Sequence, residues 1–322
     1  MNIKSEYLTQ SHERKNIVSK QHSQQKPFEE LNLMDSFLFE AATENPENAV
    51  TISKIIIERV TGRKVNNLVV HSQKELKGIN ISKHGIRMDV YTEEVETTEE
   101  GTSVTCVYDI EPNNYHEPDI ARRDRYYQSM IDSKLLPSGE PYKKLPDMFS
   151  IWILSTDPFK DNRMVYTVKN VVEENNQIVY NDGVTKIFLY TKGTVGGSKE
   201  LKELLTFMEN SVRNNAVDNE LAEIMDIVDT VKSDSEERRR YMGIMNVIDY
   251  EKRDAYEDGR TNGLHEGIGK GQIHGVIQTC KSFGADREKT KDEIMKQFSI
   301  NESDAKEYVT LYWDKELTTI QE

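Results

Sequence analysis

Two acidic residues set in short β-branched runs carry the types and spacing that suggest chemistry in this chain. They are Asp89 in Gly85-Ile-Arg-Met-Asp-Val-Tyr91 and Glu111 in Val107-Tyr-Asp-Ile-Glu111. If the two runs pair as strands, both carboxylates lie side by side on one sheet face, with Met88, Val90 and Ile110 flanking them or facing the other way. Carboxylates that close repel unless something neutralises them. A hard divalent cation such as Mg²⁺ does so through oxygen ligands while keeping waters for chemistry. It would lower the pKa of a bound water and balance charge building on a scissile phosphate. The plain alternative is a pair of edge acids facing solvent.

Positive charge follows the acids. Asp119–Lys134 has helical spacing, and Arg122, Arg125 and Ser129 recur at intervals of three and four, so they share a face while Tyr126, Met130 and Ile131 are expected to turn inward. An arginine on that face can hold a phosphate through planar, bidentate donors. The alternative is an exposed helix that its charges keep soluble.

The elements that must position these groups are legible in outline. Asp35–Ala42 and Ala49–Val60 carry apolar residues at helical spacing and are separated by Glu44-Asn-Pro46, which predicts a helical hairpin ended by Gly62. Asn67–His71, Ile86–Tyr91 and Ser103–Ile110 read as strands, and the acidic stretch Glu93–Gly101 as the turn between the second and third. Met148–Leu154 reads as a buried strand. Shorter strands are expected at Met164–Val172, Gln177–Val179 and Lys186–Tyr190, with Asn181-Asp-Gly183 as a turn. Helix, three strands, helix and strand in that order predict an α/β fold, and from Lys199 onward the pattern is almost wholly helical.

The runs around Asp89 and Glu111 closely resemble the Rpn family of recombination-promoting nucleases and transposases, within the PD-(D/E)XK nuclease superfamily. So does Arg122-Arg-Asp-Arg-Tyr-Tyr-Gln-Ser-Met-Ile-Asp132, with Gly139 and Tyr142 after it. The similarity extends from about Leu31 to Met242 and takes in Asp157-Pro-Phe, Tyr166-Thr-Val-Lys-Asn170, Asn181-Asp-Gly183 and Thr191-Lys-Gly193. The resemblance implies a restriction-endonuclease-like mixed sheet flanked by helices and a Mg²⁺- or Mn²⁺-dependent endonuclease acting on double-stranded DNA, linked to recombination or transposition. It makes Asp89 and Glu111 the metal ligands, lends the Pro112 carbonyl to the metal, and puts Asn113 where the superfamily has Lys and this family commonly Gln. It also makes Arg122 and Arg125 the phosphate-engaging pair. Glu40 and Glu58 stand where an acid of the first helix sometimes completes such a site. Two departures matter. An amide only orients through hydrogen bonds where lysine would polarise water, and a proline cannot donate to a strand ladder, so pairing should end or bulge at Pro112. The competing expectation is therefore a degenerate nuclease, retained as a DNA-associated or oligomerising scaffold.

Composition bounds these readings. The 322 residues include 42 Lys and Arg against 56 Asp and Glu, a net charge of −14, which argues against coating nucleic acid by bulk attraction. No apolar run approaches the ~18 residues of a spanning helix, and the N-terminus lacks the apolar block of a secretory signal, so a cytoplasmic protein without membrane contact is expected. Cys106 and Cys280 have no CxxC partner, so reduced thiols are expected. Residues 1–27, rich in Ser, Gln and His, read as a disordered arm before a nuclease-like domain over 28–242. In 243–280, Gly259, Gly263, Gly267, Gly271 and Gly275 recur every four residues, forming either a linker or a helix whose glycine face allows close self-association into a homo-oligomer. Residues 281–322 read as a small helical module, with a helix starting at Asn301-Glu-Ser-Asp304.

Overall fold

The computed structural model describes residues 26–77, 85–99 and 101–315. The expected arm over 1–27 lies outside them apart from Lys26 and Pro27. The expected hairpin is formed by α1 (Ser36–Glu44) and α2 (Pro46–Thr61). Asn45 joins them: its side chain accepts from the N–H groups of Glu47 and Asn48, and Pro46 takes the first position of α2, where a missing N–H costs nothing. Gly62 ends α2 with φ of +69°, the left-handed conformation that favours glycine.

Strands β1 (Leu68–Leu76), β2 (Ile86–Thr98) and β3 (Gly101–Asn113) form an antiparallel meander. The chain then crosses one face as α3 (Ile120–Leu135) and returns as β4 (Asp147–Leu154), parallel to β3. After β5 (Val165–Val168), the short β6 (Val171–Val172) and β7 (Asn175–Val179) pair with each other, and β8 (Val184–Tyr190) re-enters the sheet parallel to β4 and antiparallel to β5. The mixed six-stranded order is β1-β2-β3-β4-β8-β5.

One expectation is corrected here. The acidic stretch Glu93–Gly101 is mostly strand: pairing of β2 with β3 continues past a bulge at Glu94/Val95 to Thr98↔Gly101. The β-branched Val95, Thr97 and Thr98 favour extended backbone. The acids that suggested a turn are held on the sheet, Glu93 by Lys74 and Glu94 by the Tyr108 hydroxyl.

Helices cover both faces. On one, α1 and α2 with α4 (Lys199–Glu209) and α5 (Asn219–Ser233) bury Val90, Tyr108, Ile110, Ile151, Ile153 and Leu189. On the other, α3 covers Met88, Tyr91, Val107, Met148, Trp152 and Phe188 through Ile120, Tyr127, Met130 and Ile131. Tyr127, not Tyr126, is therefore the inward tyrosine; Tyr126 is exposed.

The chain divides into two compact units, Met1–Met245 and Asn246–Glu322. The helix α6 (Ser235–Ser282) starts in the first and ends in the second, and it contains all the glycines of the four-residue repeat. Open space surrounds the place where each of their Cβ atoms would stand. In the second unit, α7 (Arg287–Phe298) and α8 (Glu302–Tyr312) pack Ile294, Ala305 and Val309 against Ile273 and Ile277 of α6. Asn301 caps α8 by accepting from the Asp304 N–H. Among the described residues no helix is long and apolar enough to cross a membrane.

Candidate functional site

Alternation along β3 sends Tyr108 and Ile110 to one core and Val107 to the other, so Asp109, Glu111 and Asn113 share the face that α3 covers. Asp89 reaches the same place through an irregularity. Met88 and Val90, two apart, lie in opposite cores, so the alternation of β2 breaks at Asp89. Opposite it in β1, Gln73 has a φ of +53°. The β2–β3 ladder ends at Val90↔Ile110, and beyond it the Asp89 N–H donates to Glu111 Oε1 at 2.7 Å. A carboxylate thus takes the place of a ladder carbonyl.

Pro112 fits this splayed region. The Asn113 carbonyl accepts from the Ser155 N–H just beyond β4, so the odd-numbered backbone groups of this stretch face β4 and those of Pro112 face the β2 side. There the ladder has already ended, so the missing N–H interrupts no β2–β3 pair. Pairing with β4 continues through Pro112↔Ile153 and Asn113↔Leu154. The expected end or bulge at Pro112 is thus absent on the β4 side, and on the β2 side pairing stops before Pro112 is reached.

The site is crowded with acid. Glu111 is 2 % exposed and Asp109 is fully buried. Neither carboxylate oxygen of Asp109 has a hydrogen-bond partner. Burial, followed by the charges of Glu111, Asp89 and Asp124, pushes the Asp109 carboxyl well above the usual range. Asn113 is also buried; its Oδ1 accepts from the Tyr115 N–H at 2.8 Å, while its Nδ2 has no partner. Asp124 is engaged on both oxygens in different ways: its Oδ1 accepts from Ser150 Oγ at 2.5 Å and Trp152 Nε1 at 3.0 Å, while its Oδ2 accepts no hydrogen bond of good geometry but is ion-paired with Lys186 Nζ at 2.8 Å.

The arginines of α3 separate by face. Arg122 and Arg125 are exposed together with Ser129, as their spacing predicts. Arg123 turns inward. Its Nη2 lies 3.8 Å from Glu111 Oε2 and donates to the Tyr127 hydroxyl at 3.0 Å, and its Nη1 donates to the Tyr115 hydroxyl at 2.8 Å and to Glu117 at 3.2 Å. Its guanidinium lies 5.2 Å from the Tyr127 ring centroid and 5.1 Å from that of Trp152. Burial opposes the Arg123 charge, but Tyr127, Glu111 and Tyr115 outweigh it and keep the group protonated. Glu40 pairs with Arg87 and Arg240, and Glu58 with Lys64, so both helix acids have other partners.

Asp109 is the residue that sequence reasoning passed over, and Arg123 the one it ranked below Arg122 and Arg125. The signal for Asp109 was its two-residue spacing from Glu111, which puts both on one strand face. The signal for Arg123 was its spacing of seven from Met130, a residue expected to turn inward, which sets both on one side of the helix.

Among the described residues no three acidic, His or Cys side chains are grouped to hold one metal ion. The oxygen donors of Asp89, Glu111 and the Pro112 carbonyl nevertheless suit a hard cation. The orphaned Asp109 oxygens add an observation in that direction: a buried carboxylate without a donor needs a cation nearby or a proton. The unpaired Asn113 Nδ2 is a donor for an incoming oxygen. No family model, curated protein or solved structure matches the chain.

Proposed function

We propose that this chain is a Mg²⁺- or Mn²⁺-dependent endonuclease of PD-(D/E)XK architecture, related to the Rpn nucleases, that hydrolyses phosphodiester bonds of double-stranded DNA in recombination or transposition. One observation carries the reading: Asp89 and Glu111, on adjacent strands, are joined by a hydrogen bond from the Asp89 N–H to the Glu111 carboxylate where the β2–β3 ladder ends. The succession of helix, three antiparallel strands, crossover helix and parallel strand supports the same assignment.

In this reading Asp89, Glu111 and the Pro112 carbonyl hold the cation, which when bound activates water and offsets charge on the phosphate. Asn113 Nδ2 orients an oxygen of water or phosphate by donating to it. Arg122 and Arg125, free on the outer face of α3, engage the DNA backbone as cationic contacts. The glycine-bearing part of α6 serves self-association.

A second reading keeps the architecture and drops catalysis. It is favoured by Asn113 in place of a lysine and by a Glu111 already engaged by Asp89 and Arg123. Supercoiled plasmid incubated with the protein and Mg²⁺ or Mn²⁺ separates the two. Nicking that disappears in both Asp89→Ala and Glu111→Ala supports the enzyme. Plasmid binding without nicking in the unaltered chain supports the scaffold.

A further inference from the structure

Glu111 is held from a side that the proposed ligand set does not include. Starting at β8, Lys186 pairs with Asp124 of α3 at 2.8 Å. Asp124 accepts from the indole Nε1 of Trp152 on β4 at 3.0 Å, and Ser150 Oγ lies 3.0 Å from the same nitrogen. Those contacts set the indole plane. Arg123 lies within cation–π range of that ring and of Tyr127, with the Tyr115 and Tyr127 hydroxyls and Glu117 accepting from its two terminal nitrogens. The remaining neighbour of Nη2 is Glu111, at 3.8 Å. The chain of contacts runs from β8 through α3 and β4 to β3, and the planar guanidinium, held by several acceptors and two ring faces, brings it to one carboxylate.

We propose that Arg123 is a positioning residue that orients the Glu111 carboxylate for a divalent cation, a role that rests on the nuclease reading above. The guanidinium is too fully engaged to act as a phosphate clamp, which separates it from Arg122 and Arg125. Charge alone predicts the opposite of orientation. A fixed cation beside the site repels a metal ion, so removing it would tighten metal binding. Losing a group that orients a ligand weakens binding, commonly by about 10–100-fold.

The test is a titration of the full-length protein with Mn²⁺ alone, followed by electron paramagnetic resonance, with thermal melts in EDTA as the folding check. Wild type is compared with Arg123→Met, Arg123→Lys and Tyr115→Phe. The expected result is Mn²⁺ binding weakened by roughly 10–100-fold in R123M, with partial recovery in R123K, which keeps the charge but not the planar fork. Y115F, which removes one acceptor from the half-buried rim of the network, is expected to lose affinity by a smaller factor while still folding. It carries the test if R123M does not fold. Unchanged or tighter Mn²⁺ binding in the folded variants overturns the positioning role while leaving the nuclease reading standing. Failure of wild type to bind Mn²⁺ overturns both.

Discussion

The Asp89 N–H and the Glu111 carboxylate meet across 2.7 Å at the point where β2 and β3 part. The two residues are thus coupled structurally, and substitutions at Glu111 should separate the loss of the acceptor from the loss of its charge. Glu111→Gln retains an acceptor for the Asp89 N–H, whereas Glu111→Ala leaves that donor and the Arg123 guanidinium without it. We expect both variants to lose nicking, but only the alanine to lose roughly 1–3 kcal/mol of stability. Urea unfolding midpoints with unchanged slope check the second half. A glutamine as destabilising as the alanine would show that charge, not the acceptor, holds the strands.

Asp109 predicts an unusual pH dependence. Its carboxyl is raised by burial and then by Glu111, Asp89 and Asp124. A raised acid binds more protons folded than unfolded, so its contribution is fully present below the unfolded value of about 3.9 and is lost as pH rises towards the folded value. Asp109→Asn keeps the shape without the charge. In metal-free buffer the variant should melt higher than wild type at neutral pH, with the difference shrinking as pH falls to about 4. A difference that stays constant with pH would exclude burial of a titrating group as the cause.

The segment after β8 should be intolerant at Gly193. A Cβ there would stand 2.6 Å from the backbone carbon of Arg163 and from the backbone nitrogen of Met164, neither of which can swing aside as a side chain does. The adjoining loop is held by Asp157, which accepts from the Tyr166 hydroxyl and the N–H groups of Phe159, Lys160 and Asn162. Gly193→Ala should cost about 1–3 kcal/mol, read by chemical denaturation. A wild-type midpoint would mean that the two backbone segments separate freely.

Arg122 and Arg125 call for a different experiment. Both are exposed, so Arg122→Ala and Arg125→Ala should leave stability within about 0.5 kcal/mol of wild type. If they contact DNA phosphates, each substitution weakens binding across sequences and lowers the slope of log affinity against log salt by about one. Unaltered salt slopes in both variants would remove them from the DNA surface.

Local pattern sufficed where one residue's chemistry decides its own surroundings. The helical hairpin followed from Asn45-Pro46 and Gly62, and the Asp89 and Glu111 strands followed from their β-branched runs. The expected end or bulge of pairing at Pro112 did not follow from its missing donor: β3 pairs with β4 through Pro112, and the ladder with β2 stops before it. The stretch Glu93–Gly101 was misread as a turn because its acids are tolerated in a strand only through Lys74 and Tyr108, neither of which is adjacent in sequence. Tertiary structure likewise decided which arginine of Arg122-Arg-Asp-Arg125 turns inward. A one-residue step rotates a helix by about 100°: Met130 and Ile131 face the core as their spacing predicts, and the packing of Tyr127 in place of Tyr126 turns the inward face towards Arg123. Asp109 gained its significance in the same way: a strand residue is ordinary until a helix closes over it and leaves its carboxylate neither solvent nor a donor.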